Sequence, residues 1–441
     1  MLLRTLMISA AALASLAAGP LRAQEEEEVG QGTGQTASRP AMARMRKLMA
    51  SPAFAKAKAS LDSDWDRIVA DLTTLTEIPA PPFQEADRAK AYAAMLKDHG
   101  LADVEIDSEG NASGLRKGRD PKAPLLVIAA HLDTVFPAGT DTKVRKDGDR
   151  LAAPGIGDDT CSLAVLLAFI RALDRAGITT KSDILFVGNV GEEGPGDLRG
   201  VRYLFTKSKY KDRIAQFISF EPGRDRITNG GIGSKRYRIN FHGPGGHSYG
   251  AFGLVNPAQA MANAIVAFGQ MPVPKTPKTT FNVGIVEGGT SVNSIPHDVA
   301  MTVDMRSEDK AELQKEVDTL MALLPKAVAA ENAARSTAQG PISFDAKLIG
   351  DRAVGNTPAN SEIVQIATAA MNVNGVKPRY NASSTDSNVP MGLGIPAVTL
   401  GSGFATARGH ALDESLLLDK PGTETAMQMG LATIIALAKG D

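Results

Sequence analysis

The sequence predicts an α/β fold in which a domain with a mostly parallel sheet is interrupted by an inserted α+β domain. Short apolar runs typical of buried parallel strands lie at 125–129, 184–187 and 217–220. Two longer stretches, 161–176 and 362–371, have the apolar spacing of helices that pack on such a sheet. Strands that alternate with helices in this way indicate an open α/β sheet.

The first domain contains further elements at both of its ends. Apolar residues recur at helical spacing over 65–78 and 85–101, and the second stretch stops at His99-Gly100, as helices commonly do. Near the end of the chain, an apolar run at 397–400 predicts a strand and 423–438 predicts a helix.

A different pattern occupies residues 232–350. Polar and apolar residues alternate over three segments, 235–241, 281–286 and 299–305. Alternation favours an antiparallel sheet with one solvated face. Helical patterns at 257–270 and 312–329 lie between these segments. We therefore expect an inserted α+β domain at 232–350, while the first domain covers 41–231 and 351–441.

The N-terminus has the pattern of a secretory signal peptide. Arg4 precedes an apolar stretch at 6–18, and a plausible cut before Gln24 makes residues 1–23 the removed segment. The apolar stretch is too short to span a bilayer comfortably, so we expect no stable membrane insertion and a periplasmic or secreted protein. Residues 24–40 are rich in Glu, Gly and Gln, which predicts a disordered tether with order beginning near Ala41.

Composition excludes several classes of function. The 441 residues are 43% hydrophobic, so the chain can bury a substantial core. The 48 Lys and Arg residues are balanced by 49 Asp and Glu residues, a net charge of -1, which leaves no basic field for nucleic acid. Cys161 is the single cysteine, so neither an internal disulfide nor a zinc site built on cysteines can form.

Polar side chains that could share one site follow the predicted strands. They are His131 and Asp133, Asp158, Glu192 and Glu193, Glu221, and His410 in a late glycine-rich loop. Five carboxylates and two imidazoles that converge without a Lys or Arg at those positions would repel one another unless cations lay between them. Imidazole and carboxylate without thiolate favour zinc, with Co²⁺ or Mn²⁺ as tolerated substitutes. The Glu192-Glu193 doublet offers both a ligand and a general base.

These motifs, taken in order, resemble the dinuclear-zinc peptidases and amidohydrolases that include carboxypeptidase G, aminoacylase, succinyl-diaminopimelate desuccinylase and peptidase T. The resemblance implies that His131 and Glu221 bind one zinc ion, that Glu193 and His410 bind the other, and that Asp158 bridges both. It also implies that Glu192 is the general base and that Asp133 orients His131. A cis peptide is expected at Asp158-Asp159.

The inserted domain resembles the dimerisation or lid domain of the same family. Gly245-Gly246-His247-Ser248 matches a motif whose histidine reaches the active site of a neighbouring subunit and stabilises the oxyanion. Asn293 and Arg306 match positions that hold the carboxylate of the substrate. The resemblance therefore implies a homodimer in which each subunit completes the site of the other.

Together these inferences predict a zinc-dependent, carboxypeptidase-like exopeptidase that hydrolyses amide bonds of small peptides or N-acyl amino acids. Two alternatives stay open. The first is an aminopeptidase or tripeptidase of the same or a related family. The second is a metal-dependent peptide-binding protein, although a binding protein has no need of Glu192 beside the ligand Glu193.

Overall fold

The computed structural model describes residues 29–33 and 35–440, so the predicted signal peptide at 1–23 lies outside the described residues. The helices are α1 (Arg39–Met49), α2 (Pro52–Ser63), α3 (Trp65–Thr76), α4 (Ala86–Asp98), α5 (Ser162–Arg175), α6 (Arg199–Thr206), α7 (Pro257–Gly269), α8 (Lys310–Ala334), α9 (Glu362–Val373), α10 (Asn388–Gly392) and α11 (Lys420–Leu437). In the described part of the chain, no helix is both long and apolar enough to cross a membrane.

The strands of the first half are β1 (Val29–Thr33), β2 (Ala102–Ile106), β3 (Ala112–Arg116), β4 (Leu125–His131), β5 (Arg145–Asp147), β6 (Arg150–Ala152), β7 (Ile184–Asn189), β8 (Ile214–Glu221), β9 (Arg226–Gly231) and β10 (Gly233–His242). Those of the second half are β11 (Gly246–His247), β12 (Thr279–Gly288), β13 (Ser294–Ile295), β14 (Asp298–Ser307), β15 (Ser343–Arg352), β16 (Gly355–Asn356), β17 (Arg379–Ser383), β18 (Ala397–Gly401), β19 (Thr406–Ala407) and β20 (Ser415–Leu417).

A large sheet forms the centre of the molecule, in the order β1-β17-β9-β18-β8-β4-β7-β3-β2, with β16 attached to β9. Its four middle strands, β18, β8, β4 and β7, are parallel to one another. Every residue of β4 and β7 is buried, which agrees with their uninterrupted apolar sequences. The predicted α/β fold is confirmed, although the sheet is extended on both sides by antiparallel pairs.

The second large unit is a four-stranded antiparallel sheet in the order β12-β14-β10-β15. It consists of residues between Gly233 and Arg352, and α7 and α8 contribute apolar side chains to the core that covers one of its faces. Along β14, buried and partly exposed residues alternate, as the sequence pattern predicts for a sheet with one solvated face.

The prediction of a disordered tether at 24–40 is wrong for residues 29–33. Residues Val29–Thr33 form β1, which pairs antiparallel with β17. Because this pairing uses the backbone at a sheet edge, it needs no apolar sequence pattern, and composition does not reveal it. Helix α1 begins at Arg39, with the Ser38 hydroxyl accepting a hydrogen bond from the backbone N–H of Ala41 at 3.4 Å.

Candidate metal centre

The middle strands of the large sheet bring the predicted site residues to one edge. His131 is the last residue of β4 and Glu221 is the last residue of β8, while Glu192 and Glu193 follow the end of β7. These three strands are adjacent and parallel, so their carboxyl ends meet. His410 reaches the same place from the loop between β19 and β20.

The first group of potential ligands consists of His131, Asp158 and Glu221. The Nε2 atom of His131 lies 2.8 Å from Oδ1 of Asp158 and 3.8 Å from Oε1 of Glu221. All three offer an atom within 4.8 Å of the others. Burial, followed by the charge of Asp159, raises the pKa of Glu221.

The second group consists of Asp158, Glu193 and His410. The Nε2 atom of His410 lies 3.2 Å from Oδ2 of Asp158 and 3.2 Å from Oε1 of Glu193. The two carboxylate oxygens of Asp158 therefore face two different imidazoles. This is the arrangement that a bridging carboxylate between two cations requires.

The protonation of these side chains tests whether cations fit between them. Nδ1 of His131 lies 2.9 Å from the backbone carbonyl of Asp133, which can only accept, so Nδ1 carries a proton and Nε2 is the nitrogen that can bind a cation lying between it and the carboxylates. Hydrogen bonds to Asp158 and Glu193, followed by the charges of these two carboxylates, raise the pKa of His410 to about 11, so the site favours a positive charge at this point. With no thiolate in either group, the donor set fits zinc.

Asp133 acts differently from the expectation. Its backbone carbonyl holds the His131 ring, whereas its carboxylate Oδ1 lies 3.7 Å from Nδ1 of that ring. The carboxylate accepts the backbone N–H groups of Glu192 at 3.1 Å and Glu193 at 2.8 Å. A fully buried carboxylate needs such donors, and here they come from the backbone that carries the doublet.

The segment before α5 carries Asp158 into the site. The Asp158-Asp159 peptide bond is cis, as the resemblance implies. Asp159 is buried and accepts the backbone N–H of His131 at 3.1 Å, so it supports the end of β4. Cys161 is buried nearby and its thiol contacts the carbonyl of Gly157 at 3.0 Å.

Two charged residues at the site were missed by the sequence reasoning. Glu414 accepts the backbone N–H groups of Gly155, Gly157 and Asp158 at 3.0, 2.7 and 2.9 Å. Arg352, at the end of β15, lies 3.1 Å from Oε1 of Glu192. Neither follows an apolar run of the large sheet, so the strand-end signal could not find them.

Neither group of potential ligands includes the predicted residues of the inserted domain, His247, Asn293 and Arg306. His247 and Asn293 are neighbours, because β11 pairs with β13 and the N–H of Ser248 donates to the Asn293 carbonyl at 2.9 Å. Arg306 lies on β14 and its Nε is 2.7 Å from Asp304. In the described part of the chain, His247 makes its hydrogen bonds within the inserted domain.

A comparison of the whole sequence with models of known protein families gives a match that covers these residues. The profile of peptidase family M20/M25/M40 matches residues 127–438, a range that contains every potential ligand described above. The chain belongs to this peptidase family.

This M20-family chain is 27% identical to carboxypeptidase G2 of Pseudomonas sp. (strain RS-16) over 234 residues, which are 52% of the chain and 56% of that relative. The match thus spans little more than half the length of the relative. A tripeptidase from Staphylococcus aureus has the same fold, with a TM-score of 0.69 at 19% identity over 85% of this chain and 99% of that one. The YXEP protein of Bacillus subtilis, a dinuclear metal binding peptidase from the M20 family, gives a TM-score of 0.60 at 16% identity over 85% and 99%.

Proposed function

We propose that this M20-family protein is a zinc-dependent exopeptidase of the carboxypeptidase type, which hydrolyses amide bonds of small peptides or N-acyl amino acids. The observation that carries the proposal is that two groups of potential ligands share Asp158, one oxygen for each. The names of relatives support it: the chain resembles carboxypeptidase G2, and the similarly folded YXEP protein is a dinuclear metal binding peptidase.

Two zinc ions would be held by five side chains of the chain. His131 and Glu221 would bind one ion, Glu193 and His410 the other, and Asp158 both, with Co²⁺ or Mn²⁺ as substitutes. When bound, the metal pair supplies polarisation of the scissile carbonyl and a lowered pKa of water. The hydrogen bond from Nδ1 of His131 to the Asp133 carbonyl keeps the other ring nitrogen available as a ligand atom.

Glu192 is the proposed general base. It is buried, and its carboxylate lies within 4.8 Å of ligand atoms of His131 and Glu193. It would accept the proton of the attacking water and return it to the leaving amine as the amide bond breaks. A ligand position for Glu193 and a base position for Glu192 are compatible because Asp133 fixes the backbone N–H groups of both residues.

His247 would stabilise the oxyanion in the site of a partner subunit. Nδ1 of this exposed side chain accepts the N–H of Tyr249 at 3.2 Å, which leaves Nε2 as the donor. A homodimer is supported by β12, an edge strand on which Ile285 and Val286 are 53% and 56% exposed. Val266 on α7 is 62% exposed and belongs to the same unit.

Arg306 and Asn293 would hold the free carboxylate of the substrate. The Arg306 side chain is 39% exposed although its Nε contacts Asp304, so part of its guanidinium is accessible to a ligand. A planar guanidinium binds a carboxylate through two parallel hydrogen bonds. Asn293 lies beside His247, so oxyanion stabilisation and carboxylate binding would come from one surface of the inserted domain.

A periplasmic or secreted location completes the proposal. It is supported by the sequence of residues 1–23, in which Arg4 is followed by an apolar stretch and then by a plausible cleavage site. N-terminal sequencing of the protein recovered from an expressing bacterium would test it, since removal of the signal peptide leaves a mature chain that begins near Gln24.

The decisive experiment is a substrate panel for the zinc-loaded protein. The panel contains dipeptides, tripeptides, N-acyl amino acids, and peptides blocked at either end. We expect turnover of substrates with a free C-terminal carboxylate, and two metal ions per chain by elemental analysis. Turnover confined to substrates with a free N-terminal amine would instead indicate an aminopeptidase. Tight binding without turnover of any panel member would indicate a peptide-binding protein.

A further inference from the structure

Arg352 joins the inserted sheet to the proposed general base. It is the last residue of β15 and only 4% exposed. Its Nη1 donates to Oε1 of Glu192 at 3.1 Å, and its Nη2 donates to the backbone carbonyl of the same residue. Nη1 also lies 3.2 Å from the hydroxyl of Ser384. One guanidinium therefore holds both the side chain and the backbone of Glu192.

Further contacts tie the same loop to the inserted sheet. The backbone N–H of Asp351 donates to the carboxylate of Asp197 at 2.9 Å. Arg236 on β10 donates to the carbonyl of Gly194 at 3.0 Å. The loop that runs from Glu192 to Asp197 is therefore bound at its start, its middle and its end by residues of β10 and β15.

We propose that Arg352 is a positioning residue for catalysis, through which the inserted domain sets the orientation of the Glu192 carboxylate. This proposal rests on the proposed function, because it assumes that Glu192 transfers the proton. Arg352 itself touches neither substrate nor reacting water in this proposal. Its effect is to restrict the rotation of a carboxylate that would otherwise have several rotamers available beside the metal ligands.

The geometry favours positioning over substrate binding. A guanidinium that recognises a substrate carboxylate must present a free edge to the cavity, whereas Arg352 is almost fully buried and donates to Glu192 and Ser384. Arg306, on the same sheet, is 39% exposed and suits that task better. Holding one oxygen of Glu192 leaves the second oxygen for the water.

The experiment compares Arg352→Met and Arg352→Lys with the wild type on the best substrate of the panel. Misplacing a catalytic group costs about 100-fold, so we expect kcat of R352M to fall about 100-fold while KM changes less than about twofold. R352K, which keeps a donor, should recover part of kcat. The metal content of both variants should equal that of the wild type.

Two controls separate positioning from a general loss of structure. Arg335→Met breaks a different ion pair of the inserted domain, the one between Arg335 and the buried Glu331. This ion pair does not include Glu192. We expect R335M to keep its kcat even if thermal unfolding shows equal destabilisation. In a Glu192→Gln background, adding R352M should cost little more, because both changes remove one function.

Contrary results are equally specific. A rise in KM at constant kcat would assign Arg352 to substrate binding and overturn positioning. Equal losses of kcat in R352M and R335M would show that Arg352 has only a structural role. The same conclusion would follow if the loss of kcat in the R352M/E192Q double variant equalled the product of the losses in the two single variants. An inactive wild type across the whole panel would reject the proposed function itself, and positioning with it.

Discussion

The carboxylate of Glu414 accepts the backbone N–H of Asp158 at 2.9 Å, across 256 residues of sequence. Glu414 lies four residues after His410, so the loop that carries one potential ligand also holds the backbone of the shared one. The same carboxylate binds Gly155 and Gly157, and its side chain is fully buried. The Glu414 carboxylate thus fixes the position of Asp158 by accepting three backbone N–H groups of the segment that carries it.

Glu414→Gln should weaken metal binding. The amide group of glutamine would direct its own N–H toward backbone N–H groups, leaving a buried donor unpaired. We expect about 10- to 100-fold weaker zinc retention, measured by competition with a chelator. Asp413→Asn is the matched control, because Asp413 is exposed and pairs with Arg408 instead. Equal chelator resistance of E414Q and wild type would contradict the prediction.

Glu192→Gln should lower turnover strongly without loss of metal. Glutamine fits the same space and can still accept from Arg352, but it cannot take a proton from water. Loss of a general base costs about 100- to 10,000-fold in kcat. Glu193→Gln is the contrasting variant, because it removes a potential ligand and should lower the metal content. Unchanged turnover of E192Q would refute the base assignment.

His247→Ala should lose about 100- to 1,000-fold in kcat, as expected when an oxyanion donor is removed. Mixing it with Glu192→Ala tests whether the histidine acts across a dimer. A mixed dimer would contain one complete site, so a random mixture should recover about one quarter of wild-type activity. A histidine that acts within its own subunit would give no recovery at any mixing ratio.

Arg306→Lys should discriminate between substrates by their C-terminus. Lysine keeps the charge but loses the planar pair of donors, so we expect kcat/KM for peptides with a free carboxylate to fall about tenfold or more. For the same peptides with an amidated C-terminus, kcat/KM should be low in both proteins and hardly change. Equal losses on both peptide sets would place Arg306 outside substrate recognition.

Glu316 makes the stability of the inserted domain depend on pH between about 4.5 and 8. It is 2% exposed, and in the described part of the chain neither carboxylate oxygen has a hydrogen-bond partner. Burial, followed by the charges of Asp304 and Glu312, raises its pKa to about 8. The folded state therefore keeps a proton that the unfolded chain loses above its ordinary pKa of 4.5, so this group reduces stability as pH rises from 4.5 to 8.

Glu316→Gln should remove this dependence. We expect the Tm of the variant to lie close to that of the wild type near pH 5 and to exceed it clearly near pH 9, because a pKa of about 8 in place of 4.5 corresponds to a loss of about 4 kcal/mol between these two pH values and each kcal/mol shifts Tm by about 2–4 °C. Calorimetry with constant metal content measures both values. Asp318→Asn serves as the control, because Asp318 is exposed on the same helix and its carboxylate accepts a hydrogen bond from Gln314. A Tm difference that does not grow with pH would contradict the assignment.

The strand-end reasoning located the potential ligands because parallel strands bring their carboxyl ends to one edge. His131, Glu193 and Glu221 come together for this reason alone. The same reasoning did not find Arg352, because this residue belongs to the antiparallel sheet and contacts Glu192 across 160 residues of sequence. Asp133 was found, but its backbone carbonyl contacts His131 while its carboxylate contacts Glu192 and Glu193, a division that no sequence pattern distinguishes.

The outer strands of the large sheet were not predicted either. β1 and β9 contain two glycines each, and β17 mixes polar and apolar residues without alternation. These strands are specified by edges left open by the parallel centre rather than by their own side chains. The apolar runs of β4, β7 and β8 needed no such context, because burial on both faces shows in the sequence itself.

Strand β18 lies between β9 and β8, although about 170 residues of chain separate it from them. During translation, the ribosome must therefore release Ala397–Gly401 before the middle of the sheet can close. His410 emerges later still, so a nascent or prematurely terminated polypeptide lacks the second imidazole. Such fragments cannot assemble the paired ligand sets, and hydrolytic competence arises only after synthesis has passed His410.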